Sequence, residues 1–189
     1  MIRSFVAIDP SDAVRTRLVE FGGDLAGLGA DVRWLRAEGL HCTVKFLGDV
    51  EERRLEDVQL ALRGVLAGAL PFDASALGVG VFPSWRSPRV VWVGLEDEGG
   101  GCVGLAARIG AALVPLGFAP ERRPFSPHIT LGRVRGHRGW SHLAERLRLH
   151  ERENFGATTV ASIVVYRSDL RPTGSVYTPL WSIPLGEGC

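Results

Sequence analysis

The stretches His41-Cys42-Thr43-Val44 and His128-Ile129-Thr130-Leu131 repeat one pattern, His-x-Thr-x, once in each half of a 189-residue chain. Each stretch lies in an apolar neighbourhood that favours β-strands, and alternate side chains of a strand share one face. The histidine and the threonine of each copy are therefore expected to project together. If the two halves pack about an approximate two-fold axis, the two pairs meet across one cleft.

The composition is that of a soluble globular protein, with 46% hydrophobic and 23% charged residues. The formal net charge is +1, so any attraction for nucleic acid must come from a local patch. Cys42, Cys102 and Cys189 show no metal-ligand or disulfide spacing. Neither an export signal nor an apolar run of about 18 residues is found, which predicts a reduced cytoplasmic protein without a membrane span.

Hydrophobic periodicity predicts helices and strands in similar order in both halves. The predicted strands cover residues 3–9, 41–47, 72–82, 89–95, 128–134, 158–166 and 176–184. The predicted helices cover residues 11–28, 51–70, 103–114 and 140–149. This alternation also fits a doubly wound sheet, but strand pairs joined by short turns favour an α+β fold with antiparallel sheets.

Two histidines facing each other with two hydroxyls suit a phosphoryl-transfer site. In-line displacement at phosphorus needs one group to deprotonate the attacking oxygen and another to protonate the leaving oxygen. With an unperturbed pKa of about 6.5, one imidazole can be neutral while the other is protonated. Threonine hydroxyls, which are stiff at χ1, can donate to the non-bridging oxygens. A single His-x-Thr is most often structural, and it is the duplication that indicates function.

The chain resembles the 2H phosphoesterases, and among them the bacterial RNA 2′,3′-cyclic phosphodiesterases, also called 2′-5′ RNA ligases. The resemblance runs nearly from end to end. It is carried by Arg3-Ser4-Phe5-Val6-Ala7-Ile8, His41 to Gly48, Pro88 to Leu95, Phe125 to Arg133, Tyr166-Arg167-Ser168-Asp169-Leu170, Gly174 and Tyr177.

This resemblance implies a bilobal α+β fold. Two pseudo-symmetric antiparallel-sheet lobes, with helices on the outside, would surround a central cleft within a single domain spanning residues 1–189. It also implies catalysis without a metal or cofactor. The expected substrates are RNA 3′ ends or nucleotides that carry a 2′,3′-cyclic phosphate, and a monomer is expected.

The resemblance also assigns roles to residues. His41 would be the general acid toward the 3′ leaving oxygen and His128 the general base on water, so that opening the ring leaves a 2′-phosphate. Thr43, Thr130 and Arg133 would bind the substrate. Strict alternation puts Arg133 out of phase with His128, so Arg133 reaches the cleft only if the strand bends or ends near Gly132.

Several neighbouring side chains have two interpretations. Lys45 shares the parity of His41 and Thr43, and it either adds positive potential to the cleft or is simply solvated. Cys42 has the opposite parity, which favours a buried structural thiol over a nucleophile. Four aromatic residues either stack a nucleobase or pack in the core: Phe5, Phe46, Trp34 and Tyr166.

Exposed arginines form another candidate feature. They either line the cleft as a cationic rim for an RNA backbone or are free in solvent. These arginines are Arg122, Arg123, Arg133, Arg135 and Arg138.

Two further patterns are read as structural. Gly99 to Gly104 matches the G-x-G-x-x-G dinucleotide turn, but three acidic residues precede it and would repel a pyrophosphate, so a plain turn is predicted. His137, His142 and His150 lack partners with metal-ligand spacing, so solvent-facing positions are predicted for them.

Hydrolysis of a 2′,3′-cyclic phosphate is therefore the leading hypothesis. ATP-independent 2′-5′ ligation is the same chemistry in reverse, with an RNA 5′-hydroxyl as nucleophile, and the sequence does not separate the two directions. Opening of ADP-ribose cyclic phosphate would use the same four motif residues. A non-catalytic module that binds nucleotides or RNA is the alternative from another class.

Overall fold

The computed structural model describes residues 1–172 and 174–186, which form four α-helices and nine strands. In chain order the elements are β1 (Ile2–Ile8), α1 (Asp12–Ala26), β2 (Val32–Trp34), β3 (Cys42–Val50), α2 (Leu55–Leu66), β4 (Phe72–Ser84), β5 (Ser87–Glu96), α3 (Gly101–Leu113), β6 (His128–Val134), α4 (Trp140–Arg148), β7 (Asn154–Val160), β8 (Ser162–Arg171) and β9 (Gly174–Pro184).

All nine strands belong to one antiparallel sheet. Eight of them follow the order β7-β4-β5-β6-β3-β1-β8-β9, and the short β2 pairs with β6 beside this path. The α+β fold with antiparallel pairing is therefore confirmed. The two halves of the sheet meet where β3 pairs with β6, through the single residue pair Cys42 and Ile129.

The halves of the sheet are not the halves of the chain. The β4–β5 hairpin comes from the first half of the chain but pairs with β6 and β7. The β8–β9 hairpin comes from the second half but pairs with β1. Each half of the chain therefore gives a hairpin to the other half of the sheet, which ties the two together.

The predicted strand over residues 158–166 is wrong because this exchange interrupts it. The chain leaves β7, which pairs with β4, and enters β8, which pairs with β1. The break falls at Ala161, whose carbonyl accepts a hydrogen bond from the Leu185 amide at 2.8 Å. Apolar alternation continues through the break, so periodicity does not reveal it.

The helices contact one face of the sheet and build the core there. Helices α1 and α4 pack on β7, β6 and β4, while α2 and α3 pack on β9 and β3. The helix-covered face holds strand residues with almost no exposure, among them Val6, Ile8, Val91 and Val93. The opposite face, here called the site face, carries the motif side chains.

Two of the predicted helices show how local signals set boundaries. Ser11 caps α1 by accepting a hydrogen bond from the Val14 amide at 3.4 Å, as Ser at an N-cap does. The predicted helix 51–70 begins with a 3₁₀ turn, Glu52–Arg54, and ends at Leu66. It stops early because the Leu66 carbonyl accepts from Ala69 and Gly186 instead of continuing the helical pattern.

Candidate active site

The pairing of Cys42 with Ile129 decides where the two motifs point. Both side chains are fully buried on the helix-covered face. Continuing this antiparallel register by one residue each way sets His41 opposite Thr130 and Thr43 opposite His128. Because side chains alternate across a strand, all four lie on the site face. Diagonal neighbours in such a pair are about 7–8 Å apart, a spacing that leaves room for one phosphate between the imidazoles.

A β-bulge at Leu131 brings Arg133 onto the same face. On β5, Trp92 pairs with Thr130, Val91 with Gly132 and Val90 with Arg133, so Leu131 has no partner on that strand. Trp92 and Val90 share a face, and Arg133 therefore shares one with Thr130. The bulge is the departure from strict alternation that the sequence required for Arg133 to reach the cleft.

The charge of Arg133 acts on both motif histidines. Burial, which is the largest cause, and the positive charges of Arg15 and Arg133 together lower the pKa of His41 to about 4. Burial also lowers the pKa of His128, with Arg133 again contributing, although a hydrogen bond to Ser126 opposes the shift. One guanidinium thus lies within electrostatic reach of both imidazoles, and both are neutral near pH 7 in the unliganded protein.

The imidazole of His128 is oriented by a hydrogen bond to the segment that leads into β6. Its Nδ1 lies 2.7 Å from the Ser126 carbonyl oxygen. A carbonyl can only accept, so Nδ1 carries the proton and Nε2 keeps a free lone pair. The ring is also held edge-on by Phe82, with ring centroids 4.9 Å apart, and by Trp92 at 6.2 Å.

Aromatic rings surround the His41 imidazole. Phe5 stacks on it with centroids 4.7 Å apart, Tyr166 lies nearly parallel at 5.8 Å, and Tyr177 meets it edge-on at 5.1 Å. An imidazolium is stabilised by the faces of aromatic rings. These contacts favour the protonated form of His41, whereas burial and the two arginines oppose it.

A hydrogen-bond network fixes the chain just before His41. Arg15 donates to the carbonyls of Ala37 at 2.5 Å and Leu40 at 2.9 Å, and its guanidinium lies 4.0 Å from Asp9. Asp9 in turn accepts from the Tyr166 hydroxyl at 2.7 Å. Helix α1 and strands β1 and β8 are thereby joined to the backbone that sets the position of His41.

The interpretation of Lys45 as a contributor to the cleft is wrong. A second β-bulge, at Val44, pairs Thr43 with Ala7 but Lys45 with Val6, which turns Lys45 to the helix-covered face. There its ammonium is buried and donates to the Ala119 carbonyl at 2.6 Å and to Glu121 at 2.9 Å.

The same bulge brings Phe46 to the site face. Phe46 pairs with Phe5, and Phe5 shares a face with Ala7 and therefore with Thr43. The Phe46 side chain is 67% exposed, although a large apolar ring in a strand is normally covered. Its centroid lies 6.1 Å from that of Phe5, the ring stacked on His41. Phe46 is therefore the open aromatic surface next to the first motif.

The other aromatic candidates are used in packing. Phe5 is buried behind His41, and Tyr166 stacks on Phe5 at 5.4 Å. Trp34 pairs with Gly132 on β6 and packs against the core. Three further rings lie at the histidines, although the sequence does not place them there, because only the folded sheet brings them together: Phe82, Trp92 and Tyr177.

Arg33 is a further site-face residue that the sequence did not indicate. It pairs with Arg133 across β2 and β6, which places two arginines side by side. Its guanidinium packs on Gly174 at the start of β9, where φ is +137° and a Cβ atom would overlap it. A lone arginine near a three-residue strand gives no signal in the sequence.

The exposed arginines do not form one rim. Arg122 and Arg123 lie in a loop beside β3. Arg135 and Arg138 follow β6, where their backbone exchanges hydrogen bonds with Asp31. Arg133, on the site face, is the member of this group whose charge reaches both histidines.

The glycine-rich stretch 99–104 forms the start of α3, as a plain turn into a helix. Asp97 accepts hydrogen bonds from the amides of Gly101 and Cys102, so the protein itself supplies the anion at this helix end. Although partial burial opposes ionisation, these amides hold the pKa of Asp97 below its ordinary value. The backbone amides that would bind a pyrophosphate at this helix end therefore already donate to Asp97.

Cys42 and Cys102 are buried in the core, and the other histidines lie outside the two motifs. Burial raises the pKa of the Cys42 thiol to about 12 and also raises that of Cys102, as expected for core thiols. The predicted solvent-facing position is wrong for His150, which is half-buried against Phe21 and Glu153, whereas His137 and His142 are exposed. Across residues 1–172 and 174–186 there is no cluster of three or more potential metal ligands. Cys189 lies outside the described residues.

No helix in the described part of the chain is both long and apolar enough to span a membrane.

The site thus combines two neutral imidazoles, two hydroxyls and a shared guanidinium on one open face. The imidazoles can exchange protons near neutral pH once an anion raises their pKa, the hydroxyls can donate to oxyanions, and the guanidinium can offset negative charge. This set of groups is suited to acid/base chemistry at a phosphate ester.

Comparison with known proteins identifies the class. The family model described as "LigT like Phosphoesterase" matches residues 8–92 and 94–177. The chain belongs to this family, which confirms the resemblance to the 2H phosphoesterases.

Individual relatives align with nearly the whole chain. The RNA 2′,3′-cyclic phosphodiesterase of Methanothermobacter thermautotrophicus is 36% identical, covering 95% of this chain and 96% of the relative. Among solved structures, TT0787 of Thermus thermophilus is 30% identical with a TM-score of 0.83, covering 98% of each chain. Escherichia coli LigT, solved with NADP⁺, is 26% identical with a TM-score of 0.76, also covering 98% of each chain.

Proposed function

We propose that this protein hydrolyses the 2′,3′-cyclic phosphate at RNA 3′ ends or on nucleotides and leaves a 2′-phosphomonoester. The observation that carries the proposal is the register of β3, β6 and β5, which places both motif histidines and Arg133 on one face of the sheet. A phosphate bound between the two imidazoles carries a negative charge, and the Arg133 guanidinium on the same face can offset it. The names of the curated relatives support the same substrate.

In the proposed reaction, His128 is the base. Its Nε2 lone pair takes a proton from water as the water oxygen attacks phosphorus, and the bond from phosphorus to O3′ breaks. The hydrogen bond from Nδ1 to Ser126 supports this role, because it holds the ring in the tautomer that accepts at Nε2. Thr43 and Thr130 donate to the non-bridging oxygens, and Arg133 offsets their charge.

His41 is the proposed acid, and it delivers its proton to O3′. In the unliganded protein its pKa of about 4 leaves it neutral. The bound phosphate brings a negative charge and offsets Arg133, which raises the pKa of His41, and the stacked rings of Phe5 and Tyr166 favour the imidazolium. We therefore expect His41 to take up its proton when the substrate binds.

The ligand of the E. coli neighbour fits the proposed product. NADP⁺ carries a phosphomonoester on the 2′-oxygen of its adenosine ribose, and LigT was solved in complex with it. The proposed hydrolysis leaves the same 2′-phosphate group. The same neighbour was also solved with 3′-AMP, so the two complexes together support a nucleotide phosphomonoester as the ligand of the site.

Product analysis tests the proposal. Adenosine 2′,3′-cyclic phosphate is incubated with the protein in EDTA, and the products are separated into the 2′- and 3′-monophosphates. We expect adenosine 2′-phosphate. No turnover, or release of the 3′-phosphate, would contradict the assigned chemistry.

A further inference from the structure

A groove of about 560 Å³ opens beside the first motif, away from the histidines. On one side it is lined by Lys45, Phe46 and Leu47 of β3, and on the other by the loop over residues 117–123, here called the arginine loop. Its volume falls within the range of about 300–1,000 Å³ typical of small-ligand sites. Phe46 belongs both to the groove and to the aromatic cluster at His41, so the groove begins where the site face ends.

Two cations hold the arginine loop and the residue before it in place: Lys45 from the sheet, and Arg54 from the 3₁₀ turn that precedes α2. The Lys45 ammonium, 4% exposed, donates to the Ala119 carbonyl and to Glu121. At the other end, Arg54 donates to the Leu116 carbonyl and lies 5.7 Å from the centroid of the Phe118 ring. A buried ammonium is costly unless it is paired, so this arrangement fixes the loop relative to the first motif.

The anchoring leaves a net positive charge on the groove wall. Glu121 is paired with Lys45, so the charges of these two residues offset each other. Arg122 and Arg123 follow directly, are exposed, and have no hydrogen-bond or ion-pair partner among the residues that the structure describes. The groove therefore offers an exposed aromatic ring at its near end and two unpaired guanidinium groups on its wall.

We propose that this groove binds the RNA chain immediately 5′ of the terminal cyclic phosphate. Alternating phosphates and bases match an aromatic platform followed by unpaired arginines, as in other sites for single-stranded nucleic acids. The inference rests on the proposed function, because the cyclic phosphate must lie between the histidines for the preceding nucleotides to enter the groove. The protein then prefers RNA oligonucleotides to cyclic mononucleotides.

The test compares a tetranucleotide ending in a 2′,3′-cyclic phosphate with adenosine 2′,3′-cyclic phosphate. We expect kcat/KM to be at least about tenfold higher for the tetranucleotide, since stacking or one phosphate contact is each worth that much. Replacing Arg122 and Arg123 together by alanine should remove most of this advantage while leaving mononucleotide turnover unchanged. Equal kcat/KM values for both substrates in the unmodified protein would overturn the inference.

The control variant removes the same charge elsewhere. Arg63 on α2 and Arg146 on α4 are exposed on the helices that cover the other face of the sheet. Their double alanine variant should keep the tetranucleotide advantage. A loss equal to that of the groove variant would mean that only overall charge matters, which contradicts a groove.

Binding separates this inference from the proposed function. A tetranucleotide ending in a 2′-phosphate needs no turnover, and its affinity is measured against that of adenosine 2′-phosphate over a range of salt concentrations. For single strands the slope of log affinity against log salt concentration changes by about 0.7 per phosphate contact. The magnitude of this slope should therefore be smaller by about 1.4 in the variant with both Arg122 and Arg123 replaced by alanine. Tight, salt-dependent binding without any turnover would refute the proposed hydrolysis but keep the groove. Turnover without the slope change would refute the groove alone.

Discussion

The two motif strands share one backbone design but present different side chains to the site. In each strand the residue after the threonine forms a β-bulge, Val44 in β3 and Leu131 in β6. The bulge brings the residue five positions after the histidine onto the site face. In β3 this residue is Phe46, and in β6 it is Arg133.

This difference gives the two halves unequal tasks. The first motif places its histidine among aromatic rings and continues into an exposed phenylalanine, a surface suited to a nucleobase. The second places its histidine at a carbonyl and continues into an arginine, a surface suited to phosphate. With the proposed function, the near-symmetric sheet would hold an asymmetric substrate, with its base toward Phe46 and its phosphate toward Arg133.

Removing either motif imidazole should cause the largest loss of activity. His41→Ala and His128→Ala should each lower kcat by about 10²–10⁴-fold, the usual contribution of one acid or base group. The double variant should lose little more than the worse single one, because the two act as a unit. His142→Ala, an exposed histidine on α4, is the control and should keep full activity. Steady-state kinetics on adenosine 2′,3′-cyclic phosphate measures all four.

Arg133→Ala should lower kcat/KM by about 10²–10³-fold, the loss seen when one oxyanion donor is removed. It should also raise the pKa of both histidines, because a positive charge that disfavours their protonated forms is gone. Both limbs of the pH profile of kcat/KM should therefore move to higher pH.

Arg133→Lys, which keeps the charge, should leave these limbs near their original positions. If Arg133→Ala lowers kcat/KM at every pH without moving either limb of the profile, the role of Arg133 is structural.

How far the sequence predicts this site depends on the bulges. The repeated His-x-Thr pattern and strict alternation place the four motif residues on one face, as the register of Cys42 with Ile129 has them. Beyond the threonines, alternation fails in both strands. It puts Lys45 in the cleft and Arg133 out of it, whereas the structure buries Lys45 and turns Arg133 toward the histidines. A single extra residue in a strand leaves no mark in hydrophobic periodicity.

The exchange of hairpins is also invisible to local patterns. The sequence predicts most helices and strands and their antiparallel pairing, since turns and apolar stripes are local signals. Which strand pairs with which depends on contacts between distant segments, so the crossing from β7 to β8 at Ala161 reads as one continuous strand. Tyr177 and Trp92 reach the histidines only through these pairings.

Replacing the threonines tests the weaker donors. Thr43→Val and Thr130→Val keep the branched shape and remove the hydroxyl, so each should lower kcat by about 10- to 100-fold, as a hydrogen bond to a charged group is worth about 1.5–3 kcal/mol. The matched Thr→Ser variants keep the hydroxyl and should lose much less. If valine and serine variants are impaired alike, packing rather than donation explains the threonines.

Replacing Phe46 should have the smallest effect of these changes, and only substrate binding should be affected. Phe46→Ala should raise KM for adenosine 2′,3′-cyclic phosphate about fivefold or more, from the loss of one base-stacking contact, with kcat unchanged. Phe46→Trp should restore KM. A fall in kcat at constant KM would instead place Phe46 in the support of His41, through Phe5.

The division of labour between the two motifs is tested most directly by a substrate whose 3′-bridging oxygen is replaced by sulfur. A thiolate leaves without protonation, so a general acid is no longer needed, while attack by water still needs a base. We expect His41→Ala to regain most of its activity on the sulfur substrate and His128→Ala not to do so. Recovery by His128→Ala alone, or by neither variant, would contradict the assignment of acid to the first motif and base to the second.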